Sequence, residues 1–235
     1  MFEIPSDLPL KLSSLAWLLG HWQGWGTVAA PGTMPPAETD TKDNSATQPA
    51  EEETDSRFDA VLQDLEAAVV GEQMRMTIRT YEGELADEFD PLWTEAEGLD
   101  NIQPGALISE ETTYWSVDTP LAVVPAGPDE GRELRVVGSG TRGFAVLWAG
   151  VVMGPRIQLA SDAVVRAPRA DALDHFSRMF GLVGGELMWA SEAMPAGGDY
   201  EVEITGRLQR TASADEVAAK TSRASRHEDG DPSDG

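Results

Sequence analysis

The side chains that could perform chemistry in this chain are few. It has three histidines, three tyrosines and no cysteine. Without a thiol there can be no disulfide, no thiolate nucleophile and no Cys-ligated metal or haem. His21 stands beside Trp22, His175 follows Asp174, and His227 lies in an acidic C-terminal stretch. An imidazole could ligate a metal or carry a proton, but in these settings histidine is more often a surface or hydrogen-bonded residue than a ligand. Tyr81, Tyr114 and Tyr200 could bind ferric iron as tyrosinates, and nothing in their spacing selects one. Serines abound, yet no G-x-S-x-G or comparable nucleophile setting occurs. The acids Glu51, Glu52, Glu53 and Asp55 lack the spacing and glycine of a calcium loop, and 87–90 (DEFD) before Pro91 reads as a charged turn. A carboxylate ligand would need a cation, for which Arg75, Arg79, Arg142 and Arg207 are the candidates.

Such side chains need a scaffold, and the scaffold reads as all-β. Short β-like runs recur with Gly, Pro, Asp or Asn between them: 73–81 (QMRMTIRTY), 110–117 (EETTYWSV), 133–137, 144–152 (FAVLWAGVV), 156–161 and 201–210 (EVEITGRLQR). Alternation puts Met74, Met76 and Ile78 on one face and Arg75, Thr77 and Arg79 on the other. Long periodic helices are absent; 12–19 suits a short helix and 170–180 is ambiguous between helix and strand. About ten strands with tight turns predict a closed antiparallel up-and-down β-barrel, wide enough to leave a lumen. Met74, Met76, Met153, Met179 and Met188, with Trp93, Trp115, Trp148 and Trp189, read as its packing, and their number suits an apolar lumen.

One domain over 8–210 is expected, interrupted by a disordered insertion at about 29–55 and followed by a disordered acidic tail at 211–235, since neither segment has apolar residues enough to offset the entropy of ordering. The net charge is −24, from 41 acids and 17 bases, which argues against nucleic acid and anionic membranes as partners. The N-terminus lacks a signal-peptide pattern, and the longest apolar stretch, 143–154, is too short to span a bilayer. A cytoplasmic location is expected.

One motif stands out. Gly20, Trp22, Gly24 and Gly26 form G-x-W-x-G-x-G and, in a strand, share one face. Glycines beside a large ring permit close backbone approach and a sharp bend, so Trp22 reads as a plug at one end of a barrel, with Trp25 on the opposite face. Preceded by LAWLLG (15–20), this motif resembles the start of the nitrobindin family. RMFGLV (178–183) and GELMW (185–189) resemble the family's closing hairpin, and ITGRLQR (204–210) its last strand.

The resemblance implies a ten-stranded barrel akin to fatty-acid-binding proteins and lipocalins. It also implies ferric haem b at one end of the barrel and a link to the isomerisation of peroxynitrite to nitrate. In the family, the axial histidine lies in the last strand, seven residues before a terminal arginine. Counted back from Arg210, that position is Glu203. The position best matching a family lysine is Asp171. Two acids there would repel the haem propionates, so the expectation is a degenerate haem site without cofactor, an isomerase activity that has been lost, and a lumen open to another small apolar or amphipathic ligand. A haem isomerase with an unconventional ligand and a fatty-acid-type carrier are the alternatives. Alternation adds a competing placement: Val202, Ile204 and Leu208 share a face, which would turn Glu203 outward.

Overall fold

The computed structural model describes residues 8–29, 58–86, 89–117, 131–214 and 216–217. Of the segments expected to be disordered, 29–55 and 211–235, residues 30–55, 215 and 218–235 fall outside them. Ten strands close into one barrel, β1 (Gly20–Ala29), β2 (Phe58–Val70), β3 (Gln73–Leu85), β4 (Ile102–Val117), β5 (Arg132–Gly140), β6 (Phe144–Met153), β7 (Arg156–Arg166), β8 (Leu173–Val183), β9 (Glu186–Pro195) and β10 (Glu201–Ala212), each paired antiparallel with its neighbours and β1 with β10. The ambiguous segment is thus β8. A 3₁₀ helix (Leu10–Leu18) precedes β1, and one α-helix, α1 (Glu95–Asn101), lies between β3 and β4.

The tail begins later than expected. β10 runs to Ala212, and Ser213 starts a turn that seats Val217 at 4% exposure. Ser213 and Glu216 cap one another: the Ser213 N–H donates to Glu216 Oε2 at 2.8 Å and the Glu216 N–H to Ser213 Oγ at 3.4 Å.

One end of the barrel is sealed. Leu12, Leu15 and Leu18 of the 3₁₀ helix are fully buried over the lumen, and Trp22 is 1% exposed beneath them. Trp22 Nε1 donates to the Leu18 carbonyl at 2.8 Å. The Arg210 guanidinium lies 4.2 Å from the Trp22 ring centroid and donates to the carbonyls of Trp17 and Leu19. It thereby satisfies acceptors at the helix C-terminus that have no intrahelical partner. A Cβ at Gly24 would overlap the Arg207 carbonyl, and one at Gly26 the Thr205 carbonyl. The motif glycines therefore let β1 lie against β10, and Gly20, at φ +124°, turns the chain out of the helix.

Alternation places Trp25 on the outer wall, as expected, but it is not exposed there. Trp25 is 5% exposed beneath α1, its Nε1 donating to the Thr94 carbonyl at 3.1 Å. A Cβ at Gly98 would overlap the indole, so a glycine is required where α1 crosses it. Phe89 and Trp93 pack edge-on to Trp25 at 5.7 and 6.4 Å, forming a small outer core with Ala60 and Ile102. Trp93 is thus outside the barrel, unlike the lumenal Trp115, Trp148 and Trp189. Met153, Met179 and Met188, expected as barrel packing, are 45%, 43% and 41% exposed on the outer surface.

Two outcomes follow. Trp22→Ala and Trp25→Ala should each cost about 3–5 kcal/mol in denaturant unfolding, the usual loss on emptying a buried aromatic site; a Trp25 loss under about 1 kcal/mol would mean that α1 does not seat on it. Glu95, the first residue of α1, is 4% exposed, with Oε1 unpartnered among the described residues. Burial pushes its carboxyl above the ordinary carboxylate range, against a lowering hydrogen bond from Gln209. The folded state therefore binds this proton more readily than the unfolded chain, and stability falls as pH rises through the raised value. Glu95→Gln should gain roughly 1 kcal/mol at pH 7, and the gain should vanish near pH 4 in parallel unfolding curves.

Candidate functional site

The other end of the barrel holds a small pocket. The β5–β6 turn delivers Arg142, β4 supplies Glu110 and Glu111, β8 supplies Phe176 and Arg178, and the start of β10 supplies Glu203 and Ile204. Phe144 and Trp148 of β6 form the floor with Phe176, at ring separations of 5.2 and 6.0 Å. The open volume is about 70 Å³, enough for about five waters.

Glu203 faces inward, which corrects the placement by alternation. The β9–β10 register shifts between Val202 and Ile204, so Glu203 sits at a bulge and both it and Ile204 line the lumen. Val202 is instead 40% exposed. The Glu203 side chain is only 11% exposed and meets Arg142 Nη2 at 2.5 Å. Asp171 lies at the rim, three-quarters exposed and 3.7 Å from the same guanidinium. Burial opposes the charge on Arg142, but the attraction of Glu203, its hydrogen bond, Asp171 and Glu111 together hold its pKa above the ordinary arginine value. The two residues singled out from the family pattern are therefore brought together, through an arginine.

A second ion pair stands deeper. Arg178 Nη1 donates to Glu111 Oε2 at 2.8 Å, and its guanidinium carbon lies 4.8 and 5.6 Å from the Trp148 and Trp189 ring centroids. Arg178 Nε and Trp148 Nε1 are buried donors without an acceptor among the described residues. Glu110 is held by Arg79 at 2.6 Å. Each lining carboxylate thus already has an arginine partner.

The remaining candidates fall elsewhere. His21 is fixed at the start of β1 by Thr211 Oγ1 through Nδ1 and by Asp64 Oδ2 through Nε2, both at 2.7 Å. His175 is exposed on β8, Tyr114 and Tyr200 are exposed, and His227 lies outside the described residues. Arg75 pairs with Glu66 and Arg207 with Glu186, so of the four arginines weighed from sequence only Arg142 reaches the pocket. Arg178 was missed; its position between Trp148 and Trp189 is a cross-strand contact that no local pattern encodes. Among the described residues no histidine, tyrosine or methionine lines the pocket, and no group of three or more His, Cys, Asp or Glu residues suited to a metal ion occurs. No helix there is long and apolar enough to cross a membrane.

Residues 11–210 match the family described as the THAP4-like, heme-binding β-barrel domain. This chain belongs to that family. A ferric nitrobindin-like protein of Beutenbergia cavernae is 30% identical over 90% of this chain and 99% of its own length. A peroxynitrite isomerase of Renibacterium salmoninarum is 27% identical over 94% of this chain and 98% of its own. Among solved structures, Rv2717c from M. tuberculosis superposes with a TM-score of 0.58 at 21% identity, covering 87% of this chain and 99% of that one, which supports the fold. The nitrobindin-like barrel expected from the motif and last strand therefore holds.

The coupling of the two mouth residues can be measured. Arg142→Ala and Glu203→Gln should each destabilise, and the double variant should cost less than the sum by about 1–3 kcal/mol. Additivity within about 0.5 kcal/mol would show that the pair contributes nothing.

Proposed function

We propose that this chain is a nitrobindin-like barrel in which haem binding has been lost and whose lumen serves a small apolar or amphipathic ligand. The observation that carries this reading is Glu203. It occupies the position counted for the family histidine, it is buried at the mouth, and its charge is spent on Arg142 at 2.5 Å. Imidazole, thiolate, thioether and phenolate are the side chains that hold haem iron, and the pocket offers none of them. A carboxylate freed from Arg142 would be left in a low-dielectric wall next to an anionic cofactor. The pocket also has too little room for a porphyrin unless the aromatic floor moves. The family's haem therefore does not fit the residues present.

Two donors at this lumen have no acceptor among the described residues. Arg178 Nε and Trp148 Nε1 meet at one aromatic stack, and each such donor costs about 1–3 kcal/mol. A small molecule with an apolar body and a carbonyl or carboxylate oxygen would supply that acceptor once the Phe176 wall admits it. Arg142, on a surface turn, is the group best placed to move aside.

Ferric haem titrated into the purified protein should give no saturable, sharp Soret band. Glu203→His, alone or with Arg142→Ala to release the position, should gain partial binding, and Asp171→Lys should add to it by placing a cation at the rim. Stoichiometric haem binding by the unaltered protein, unchanged in Glu203→Ala, would overturn the proposal. It would favour the peroxynitrite isomerase alternative, with the ligand sought among His21, His175 and the tyrosines.

A further inference from the structure

A second concavity lies on the outer wall and is ten times larger, about 710 Å³ against about 70 Å³ for the lumen. Trp189 is the partition between them, lining both. The outer groove follows one row of the register. Arg156 pairs with Gly181, Gly181 with Met188, Met188 with Arg207, and Arg207 with Trp25, so five strands from β7 to β1 each place one residue in line. Four inter-strand spacings make this trough roughly 19 Å long. Phe89, held against Trp25 by the outer core, borders it.

The chemistry along the row is asymmetric. Its middle is apolar and half-exposed, with Met179 and Met188 at 43% and 41%, and these flexible thioethers shape themselves to a chain-like ligand. Gly181 leaves a gap in that wall: a Cβ there would meet nothing nearer than the Pro155 carbonyl at 3.9 Å. At one end Arg207 is committed, its Nε to Glu186 at 2.9 Å and its Nη1 to the Trp93 carbonyl at 3.0 Å. At the other end Arg156 makes no ion pair among the described residues; its one polar contact is the Met179 sulfur at 3.5 Å. On a chain of net charge −24, Arg156 thus leaves a cation available at the end of an apolar trough.

We infer that this groove binds a single-chain amphiphile with an anionic head, in the class of a medium-chain carboxylate, the tail lying across Gly181 and the two methionines and the head on Arg156. The volume lies within the range of small-molecule sites, and a guanidinium suits a carboxylate through paired N–H donors. The inference does not depend on the fate of the lumen, since the row faces outward.

The test is calorimetric titration of the full chain with dodecanoate below its micellar concentration, and with dodecyltrimethylammonium as the cation of the same tail. One saturable site for dodecanoate, with no comparable binding of the cation, is expected; non-specific adsorption to so acidic a protein would favour the cation. Arg156→Glu should weaken dodecanoate at least tenfold, and Gly181→Leu, which fills the trough, should abolish binding while circular dichroism remains unchanged. Should Gly181→Leu fail to fold, Arg156→Glu decides alone. Equal or better binding of the cation overturns the inference. Wild-type affinity in Arg156→Glu also overturns it and places the amphiphile in the lumen. A dimer in sedimentation that Arg156→Glu dissociates overturns it in favour of a second copy of this chain on the face.

Discussion

The approach of β1 to β10 is the constraint on which the rest of the structure depends. An up-and-down barrel has two edges until its first and last strands pair, and unpaired edges are open to association with other chains. Here the closing pair depends on glycine, because the Arg207 and Thr205 carbonyls occupy the space that side chains at Gly24 and Gly26 would need. Arg210 then fixes the seam to the sealed end, reaching from the last strand to the carbonyls of Trp17 and Leu19 and lying over Trp22. That guanidinium is half-buried, and burial lowers its pKa. Its charge is tolerated because helix-end carbonyls and an aromatic face replace water. Moving either strand would expose the 3₁₀ helix, empty the Trp22 site and break the wall in which Glu203 stands.

This explains why the ends of the barrel were legible in the sequence and its walls less so. The motif glycines and Trp22 are consecutive in one strand, and period-two alternation places them directly. The last strand was recognisable by the resemblance of 204–210 (ITGRLQR) to the family's, and Glu203 was found by the family's count back from Arg210. Its orientation was not, because a bulge breaks the alternation between Val202 and Ile204, and a bulge depends on the partner strand. Arg178 was invisible for a similar reason: its partners are Glu111, Trp148 and Trp189, on three other strands. The methionines failed differently. Apolar composition suggests burial, but a protein surface is largely apolar atoms, so Met153, Met179 and Met188 carried no directional information. α1 did leave a trace, since Thr94 and Glu97 form a capping box whose spacing is readable, with the Thr94 N–H donating to Glu97 at 2.7 Å. At seven residues the helix is too short to show a period.

Charge is arranged by a consistent rule. The lumen contains carboxylates, but Glu203, Glu111 and Glu110 are each answered by an arginine within 3 Å. Such pairs lose hydration on burial, and replacing them by apolar residues is often neutral or stabilising. Their retention at the mouth is therefore poorly explained by stability alone. What they confer is geometry: Arg142 ties the β5–β6 turn to the start of β10, two points on opposite sides of the opening, and Asp171 adds a third from the loop before β8. A histidine at the Glu203 position would form no such ion pair, since imidazole carries no negative charge. Glu203 and Arg142 therefore act as one unit that braces the rim.

The same logic separates the two concavities. Inside, cations are spent on carboxylates and the unsatisfied groups are N–H donors stacked on rings, so a ligand must displace an existing contact before it can gain one. Outside, Arg156 makes no ion pair among the described residues and the trough is already open, so a ligand gains contacts while displacing only the Arg156 contact with the Met179 sulfur. An anion approaching the chain is repelled by its net charge at long range, yet the Debye length is only about 8 Å at physiological ionic strength. Within that distance the nearest cation and the apolar floor decide the outcome. An amphiphilic anion satisfies both, whereas a hydrophilic anion has no reason to leave water for the methionines, and an apolar molecule without charge leaves Arg156 unused. The acidic surface thus acts as a filter, and the groove admits what can contribute enough buried tail to outweigh it.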